Sequence, residues 1–577
     1  MTTIKIEADR KKLLVNGLLL AGILFYLFSA FSRIGQPIAK DDLHWLLAAK
    51  NLIKIGRPVA DFAPDLFIIH SPHSYLYAVK WAFDLFGMHE PVARLPGILS
   101  GVVTILLLWG ILKNLTAGVE GEKNRWAGWM TLLYAATPAT IQGSLILDND
   151  NTFLVPATLF LFFSFLKYQQ EQKLRWAVAA CLAVTTTLWV RLTTPAIALV
   201  LLWFFALISK TSFKSKCILS LAIVLGILAF VGEWFVYCKA KDLPFLYPFQ
   251  YTLDRFLYRS SGQGGFRIDK IFLNLVYLTL WVGPFTVMLF LILAARRLFN
   301  FLNNRQIKGE DYFLIGALVL VGTYLFVGGV PFGFPKYQLP GIILMYVFGA
   351  LALNQSDQFK ISQVHLKNIL IVMGAAFLIQ ILILHDPLYL LRYQLREAAA
   401  SFPPLIYQST VRAIVLKTVL YFSLSLALGI FLFKSGFIKN FVFLLTLFAM
   451  GSNLGINWLQ NIGGYQTGYD YGIRGTVEAA RFIRSRVPHL EPIVVPSELV
   501  YYLDYPGSSY LLDRVWNDPP ELMRIVSEPE IHAFAYSIAI SPVDQIKNFT
   551  RYEPLDRLLN QDFDPYTVGS FKIWIRK

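Results

Sequence analysis

The sequence has few cysteines and few charged residues, and each shortage excludes a class of protein. Three cysteines in 577 residues, with no CxxC pair among them, exclude a disulfide scaffold. Charged residues make up 15% of the chain, whereas soluble domains carry about 25%, which argues against an array of soluble domains. The 38 glycines and 28 prolines are too few for a collagen-like or low-complexity chain. Instead, 56% of the residues are hydrophobic and lie in long runs, which indicates a polytopic membrane protein.

The net charge of +15 would suggest a nucleic-acid partner in a soluble protein, but its distribution argues against one. Residues 1–460 hold 40 of the 52 Lys and Arg but 22 of the 37 Asp and Glu, so the excess belongs to the apolar part. Basic loops mark the cytoplasmic side of a membrane protein. We therefore expect no nucleic acid among the partners.

Apolar runs long enough to cross a bilayer predict about thirteen transmembrane helices, since one crossing needs about 20 mostly apolar residues. The runs lie near residues 13–31, 94–113, 126–143, 152–167, 176–190, 195–209, 217–237, 271–294, 312–329, 338–354, 367–385, 413–433 and 440–458. The loop after every second run is basic, which places the N-terminus in the cytoplasm. An odd number of crossings then places the C-terminus outside. We expect a multi-pass protein of the plasma (inner) membrane.

This pattern divides the chain into two parts. Residues 1–460 form a transmembrane domain, and its first outer loop, residues 32–93, is far longer than a helix connection requires. Residues 461–577 are more polar, and they alternate a helical pattern with short strand-like runs. That alternation predicts a small extracytoplasmic α/β domain.

The first outer loop opens with the acidic pair Asp41 and Asp42, followed by an amphipathic stretch. The spacing predicts a helix in the membrane interface, with one apolar and one polar side. Its apolar side would be Leu43, Leu46, Leu47 and Leu52, facing lipid, and its polar side His44, Lys50, Asn51 and Lys54, facing water. The acidic pair has two interpretations that the sequence leaves open: a favourable charge at the helix N-terminus, or a general base toward an acceptor hydroxyl.

A second acidic cluster, with Asp148 and Asp150, falls in the tight outer turn between two predicted spans. It could be a simple connection. Alternatively, the carboxylates could hold a sugar hydroxyl, a divalent metal or a basic partner, and the spacing does not select among these.

Basic residues on the outer face are exceptions to the topology rule and indicate an anionic partner. They include Arg191, Arg255, Arg259 and Lys336, the last followed by Tyr337. Arg and Lys would hold the phosphate of a lipid carrier in this way, although anionic membrane lipids are an alternative partner. His70 and His73 have Pro72 between them and no third ligand nearby, so hydrogen bonding to phosphate or sugar is favoured over a metal site.

Taken in order, these segments resemble integral-membrane glycosyltransferases of the C fold. The strings Lys40-Asp-Asp-Leu-His-Trp45, Ser71-Pro-His-Ser-Tyr-Leu-Tyr77 and Glu90-Pro-Val-Ala-Arg-Leu-Pro96 are similar to motifs of the protein O-mannosyltransferase and lipid A aminoarabinose transferase group. The acidic turn and Lys336-Tyr-Gln-Leu-Pro340 follow in the same order. At Ser71-Pro72-His73 many relatives carry Lys-Pro-Pro or His-Pro-Pro, so the lysine contact to the donor phosphate is missing here, and His70, His73 or an outer arginine would replace it.

The resemblance implies an inverting transfer of one sugar, a hexose or pentose, from a polyprenyl-phosphate donor to a lipid, glycan or protein acceptor at the outer membrane face. By similarity, Asp41 would be the base, Asp42 its acidic neighbour, and Asp148 or Asp150 would assist at the sugar or acceptor. Arg94, Arg191 and Lys336 would contact the donor phosphate or its surroundings. No cofactor is required, and a divalent metal is compatible with the acidic turn. The alternatives are a lipid or sugar transporter or flippase without transferase activity, and a structural subunit with a decayed site.

Overall fold

The computed structural model describes most of the chain, including nearly all of the predicted membrane helices. The described residues are 2–36, 40–59, 72–116, 125–209, 211–250, 252–253, 268–326, 334–354, 365–385, 404–463, 475–488, 491–503, 509–515, 518–537, 553–569 and 571–577.

The part of the chain before residue 464 is built from helices. They are α1 (Thr2–Ser32), α2 (Lys40–Lys54), α3 (Ser74–Phe86), α4 (Glu90–Leu115), α5 (Arg125–Ala135), α6 (Pro138–Leu145), α7 (Leu154–Glu171), α8 (Leu174–Val190), α9 (Thr193–Ile208), α10 (Phe213–Lys241), α11 (Ile268–Val282), α12 (Pro284–Asn304), α13 (Gly309–Phe326), α14 (Leu339–Asn354), α15 (Leu366–Ile379, extended by a π-helical turn at Gln380–Leu384), α16 (Pro404–Lys434) and α17 (Phe441–Gly463).

Among the described helices, eight are long and apolar enough to cross a membrane: α4, α10 and α12–α17, with α14 counted from Lys336. The second half of α1, together with α8 and α9, adds three shorter apolar helices. Many of their large apolar side chains, such as those of Leu228 and Leu416, are exposed and would face lipid. The polytopic helical class is therefore confirmed, and the count of about thirteen crossings stays a prediction.

Two of the predicted spans are broken by local backbone chemistry. The run 126–143 divides into α5 and α6 because Pro138 has no amide proton and holds Thr137 in an extended conformation, at φ −72° and ψ 127°. The run 271–294 divides at Gly283, whose φ of 96° ends α11 just before Pro284 starts α12. Hydropathy reports neither break, because apolar residues continue through both.

A row of polar side chains on the second half of α17 joins the last membrane helix to the first. Arg33, just after α1, donates from Nη1 to Gln460 Oε1 at 2.6 Å and from Nη2 to Asn457 Oδ1 at 3.4 Å. Asn457 in turn donates to the Ala136 carbonyl at 2.8 Å. All three side chains are buried, so these bonds satisfy polar groups that lipid could not. They hold the end of α1 against α17, and α17 against the end of α5.

Helices α2 and α3 of this outer loop pack on each other and on the beginning of α4. Leu43, Leu46 and Leu52 of α2 are buried against Tyr75 and Leu76 of α3. The prediction that the leucines of α2 face lipid is therefore wrong, because they pack on protein.

Lys50 of α2 also departs from its prediction. Its side chain is only 8% exposed, so it does not face water as expected.

The described residues between 475 and 577 form a mixed sheet with helices on both faces, which we call the tail unit. Its elements are α18 (Thr476–Arg486), β1 (Ile493–Val495), α19 (Ser497–Leu503), β2 (Tyr510–Leu511), α20 (Leu512–Val515), α21 (Pro519–Ser527), β3 (Ala533–Ser537), α22 (Glu553–Asp562), β4 (Phe563–Val568) and β5 (Phe571–Arg576). The strand order is β2-β1-β3-β5-β4, parallel for the first three strands and antiparallel at β5 and β4. Helices α18 and α19 cover one face, and α21 and α22 cover the other.

Replacing Gly101 by alanine tests the close approach of α4 to α1. The hydroxyl of Tyr26 donates to the Ile98 carbonyl at 3.1 Å, and a Cβ at position 101 would overlap that hydroxyl. We expect Gly101→Ala to lower the free energy of unfolding by about 1–3 kcal/mol, measured as a lower thermal midpoint in detergent. Gly110→Ala, on the same helix with open space around it, should be neutral or stabilising. Equal midpoints for the two variants would contradict this packing.

Candidate functional site

The acidic turn between α6 and α7 is a buried, fully structured element, and a simple surface connection does not describe it. Asp148 and Asp150 are 5% and 0% exposed. Asp148 Oδ1 accepts from the Asp150 amide at 3.2 Å, and its carbonyl accepts from the Thr152 hydroxyl at 2.5 Å. Asn151 donates to the carbonyls of Gly143 and Ile146. The turn therefore presents two carboxylates from a rigid backbone, in a setting where an unpaired charge would be costly.

Asp42 and Arg94 form the first of three buried ion pairs at this turn. Asp42 Oδ2 lies 3.9 Å from Arg94 Nη2, and Asp42 Oδ1 accepts from the Leu147 amide at 2.7 Å. Asp42 therefore connects α2 to both α4 and the acidic turn, in addition to its place in the first turn of its own helix.

Arg94 is fully buried, and the contacts of its guanidinium within the described part of the chain are with protein groups. Its Nε donates to the Leu145 carbonyl at 3.0 Å and its Nη1 to the Ile34 carbonyl at 2.8 Å, in addition to the contact with Asp42. Direct contact of Arg94 with a donor phosphate stays a prediction. The contacts favour a role in holding α1, α2, α4 and the end of α6 together.

Lys336 and Asp148 form the second pair, across 188 residues of sequence. The ammonium lies 2.7 Å from Asp148 Oδ2, and both side chains are nearly excluded from solvent. Lys336 belongs to a short 3₁₀ turn, Lys336–Gln338, directly before α14. The ring of Tyr337 in this turn lies 5.0 Å from Lys336 Nζ and stacks on Tyr324 of α13. Lys336, Tyr337 and Asp148 thus meet, although the two segments lie far apart in the sequence.

Arg191 and Asp150 form the third pair. Arg191 follows α8 directly; its Nε lies 3.4 Å from Asp150 Oδ1, and its guanidinium carbon lies 6.0 Å from the centre of the Tyr337 ring. Burial lowers the pKa of the Arg191 guanidinium, and the neighbouring groups of Asp150, Tyr337, Asp148 and Tyr324 together raise it above its usual value. Arg191 is therefore a permanent cation beside Tyr337 and the second carboxylate of the turn.

The remaining residues predicted for the site do not take part in these three ion pairs within the described part of the chain. His73 is buried; its Nδ1 lies 2.7 Å from the Tyr237 hydroxyl of α10, and its ring packs edge-on against Trp234. Its contact with phosphate or sugar stays a prediction. His70, Arg255 and Arg259, together with the side chain of Asp41 at the start of α2, lie outside the described residues.

Tyr75 of α3 is a site residue that sequence reasoning did not select. It is fully buried, with its ring edge-on to Trp45 and Phe153, which follow the two acidic segments. Its hydroxyl has no hydrogen-bond partner within the described part of the chain. Burial, and then the charges of Asp42 and Asp148, raise the pKa of this hydroxyl well above its usual value, so it stays a neutral donor. Sequence alone does not distinguish Tyr75 from Tyr77, because the difference is one of burial.

The arrangement brings three carboxylates and three cations from distant segments to one end of the helices. Within the described ranges, no group of three His, Cys, Asp or Glu side chains could hold a metal ion. The compatibility of the acidic turn with a divalent metal stays a prediction. Chemically, the site places fixed positive charges beside acidic groups in a nearly dry environment, where each charge interacts more strongly with its neighbours than it would in water.

Comparisons with a family model and with solved structures show which proteins this chain is similar to. Residues 70–235, which include Arg94, the acidic turn and Arg191, match the family model described as dolichyl-phosphate-mannose-protein mannosyltransferase. No curated protein matches the chain in sequence.

Solved structures match over almost the whole chain. The crystal structure of ArnT from Cupriavidus metallidurans bound to undecaprenyl phosphate covers 97% of this chain and 98% of its own, at 15% identity and a TM-score of 0.63. The apo structure of the same protein gives the same coverage and identity, with a TM-score of 0.60. The cryo-EM structure of the arabinosyltransferase EmbB from Mycobacterium smegmatis covers 78% of this chain and 42% of its own, at 13% identity and a TM-score of 0.40. The chain has the fold of the ArnT structures, and the resemblance predicted from the motifs is confirmed at that level.

Breaking the Lys336–Asp148 pair from one side should cost more stability than removing both charges. Lys336→Met leaves a buried carboxylate without its cation, so we expect the free energy of unfolding to fall by about 3–5 kcal/mol. Combining it with Asp148→Asn should recover most of that loss. Thermal unfolding in detergent measures both, with Lys80→Met, which breaks an exposed pair with Asp84, as a control of little effect. A double variant no more stable than the single variant would contradict the pairing.

Proposed function

We propose that this chain is an inverting glycosyltransferase that moves one sugar from a polyprenyl-phosphate donor to an acceptor at the outer face of the membrane. The observation that carries the proposal is the junction of Lys336 and Arg191 with the acidic turn, next to the helix that begins with Asp41 and Asp42. One ArnT structure of the same fold is described as bound to undecaprenyl phosphate, which supports a lipid phosphate as the anionic ligand.

The chemistry requires a base, a cationic group at the leaving phosphate and little water. The acceptor oxygen attacks the anomeric carbon while the bond from that carbon to the phosphate oxygen breaks, so the configuration inverts. The phosphate takes the bonding electron pair, and neighbouring Lys and Arg stabilise its charge. The base takes the proton of the acceptor hydroxyl. We assign the base to Asp41, by resemblance and by its place at the start of α2.

The observed contacts divide the other acidic groups among different tasks. Asp42 holds Arg94 and the Leu147 amide, so we assign it to positioning α2. Asp148 and Asp150 neutralise Lys336 and Arg191, which would otherwise be buried without a counter-charge. In this assignment the donor phosphate shares these two cations with the turn. Tyr75 supplies a neutral hydroxyl near Asp42 and Asp148 for a sugar or acceptor group.

The orientation of the chain follows from the same proposal. The ion pairs join the start of α2, the start of α4 and the connections from α6 to α7, from α8 to α9 and from α13 to α14 at one end of the helices. We assign this end to the outer face of the plasma membrane, with the N-terminus in the cytoplasm, about thirteen crossings and the tail unit outside. The basic loops at the opposite end support this orientation.

Asp41→Asn tests the base. Asparagine keeps the shape of the side chain but cannot take a proton, so we expect transfer to fall by about 10²–10⁴-fold. The assay is sugar transfer in proteoliposomes, with a panel of undecaprenyl-phosphate hexoses and pentoses. Asp84→Asn, an exposed aspartate of the same outer loop, is the matched control and should transfer normally. Near-normal transfer by Asp41→Asn would remove Asp41 from this role, and translocation of the lipid without transfer would favour a flippase.

Arg191→Gln and Lys336→Gln test the phosphate site without requiring the sugar to be known. Loss of a charge-assisted hydrogen bond costs about 1.5–3 kcal/mol, so each variant should bind undecaprenyl phosphate about 10–100-fold more weakly. Binding is measured on the purified protein, with Lys80→Gln as the control for loss of an exposed outer cation. Unchanged affinity in both variants would move the phosphate away from Arg191 and Lys336.

A further inference from the structure

The tail unit is attached to the outer-loop helices through α19, a short helix with two consecutive tyrosines. Leu499, Val500 and Leu503 of α19 are buried in the core of the tail unit. Tyr501 belongs instead to the cluster formed by α2, α3 and the start of α4. In the opposite direction, Leu47 of α2 is buried in the tail core. Each part therefore contributes an apolar side chain to the other.

Polar contacts at Tyr501 hold α2. Lys50, on α2 three residues after Leu47, donates from Nζ to the Tyr501 carbonyl at 2.9 Å, and its ammonium lies 5.4 Å from the centre of the Tyr501 ring. This contact explains why Lys50 is buried. Lys50 is eight residues, about two helical turns, after Asp42 on the same helix.

A second set of contacts holds the beginning of α4. The Tyr501 hydroxyl donates to the Met88 carbonyl at 3.2 Å, and the Tyr502 hydroxyl donates to Glu90 Oε1. Burial, and then the negative charge of Glu90, raise the pKa of both tyrosines, so both hydroxyls stay protonated donors. Glu90 is one helical turn before Arg94 on α4.

The two helices held by this tyrosine pair are the two that meet at the Asp42–Arg94 ion pair. We propose that Tyr501 and Tyr502 are positioning residues, through which the tail unit orients the start of α2 against the acidic turn. The inference rests on the proposed function, because it assigns the tail unit to the same site. A displacement of about 1 Å in a catalytic group can reduce a rate about 10²-fold, so such a contact can affect turnover without touching the substrate.

Substitutions that keep the fold of the tail separate positioning from stability. Tyr502→Phe removes the hydroxyl that contacts Glu90, and Tyr501→Ala removes the ring. We expect each to lower kcat about tenfold or more, with KM for the donor within about twofold of the wild-type value. Tyr501→Phe keeps the ring beside Lys50 and should retain more activity than Tyr501→Ala. Tyr566→Phe, whose ring packs on Phe482 inside the tail unit, is the matched control and should keep wild-type kcat.

Two further measurements exclude a general loss of stability. Glu90→Ala combined with Tyr502→Phe should lower kcat no further than Glu90→Ala alone, because both remove the same contact. Amide hydrogen exchange across α2 should be faster in Tyr501→Ala and Tyr502→Phe than in Tyr566→Phe, at equal thermal midpoints.

The possible results separate this inference from the proposed function. Wild-type kcat and wild-type exchange of α2 in both variants would overturn the positioning role. A fall in kcat that follows only a fall in the thermal midpoint would also overturn it. If the wild-type protein transfers no sugar, the proposed function fails, while faster exchange of α2 in the variants would still support the structural coupling.

Discussion

Burial of charge is the constraint on which the candidate site of this molecule depends. A charged side chain taken out of water needs an opposite charge or hydrogen bonds nearby, otherwise its burial is too costly. Asp42, Asp148 and Asp150 each have such a cation, and each cation comes from a different part of the chain. The three pairs therefore fix how several helix ends meet, and they place the cations of the proposed phosphate site beside the acidic turn.

This constraint explains why the acidic turn is both rigid and central. Its backbone accepts and donates hydrogen bonds within a few residues, and its two carboxylates extend to Lys336 and Arg191. Asp42 reaches the same turn through the Leu147 amide. The tail unit then extends the assembly through α19, which contacts both α2 and α4.

Part of the fold and of the site could be predicted because the signals are local. Apolar runs located the membrane helices, and exceptions to the basic-loop rule selected Arg191 and Lys336. The breaks at Pro138 and Gly283 were missed because the runs stay apolar through them. The amphipathic pattern places Lys50 on the water-facing side of α2, because such a pattern reports only neighbouring residues. The partner that buries Lys50 is Tyr501, more than 400 residues later.

The sequence by itself determined the membrane class, the approximate helix positions and the set of residues with unusual charge. These follow from composition and periodicity, which depend only on neighbouring residues. Three sets of contacts are visible only in the tertiary structure: Lys336 meets Asp148, Arg94 lies among backbone carbonyls and Asp42, and Tyr75 and Tyr501 contact α2. The physical reason is that ion pairing and burial depend on distances in space. No local pattern in a single sequence reports the distance between two residues that lie hundreds of positions apart.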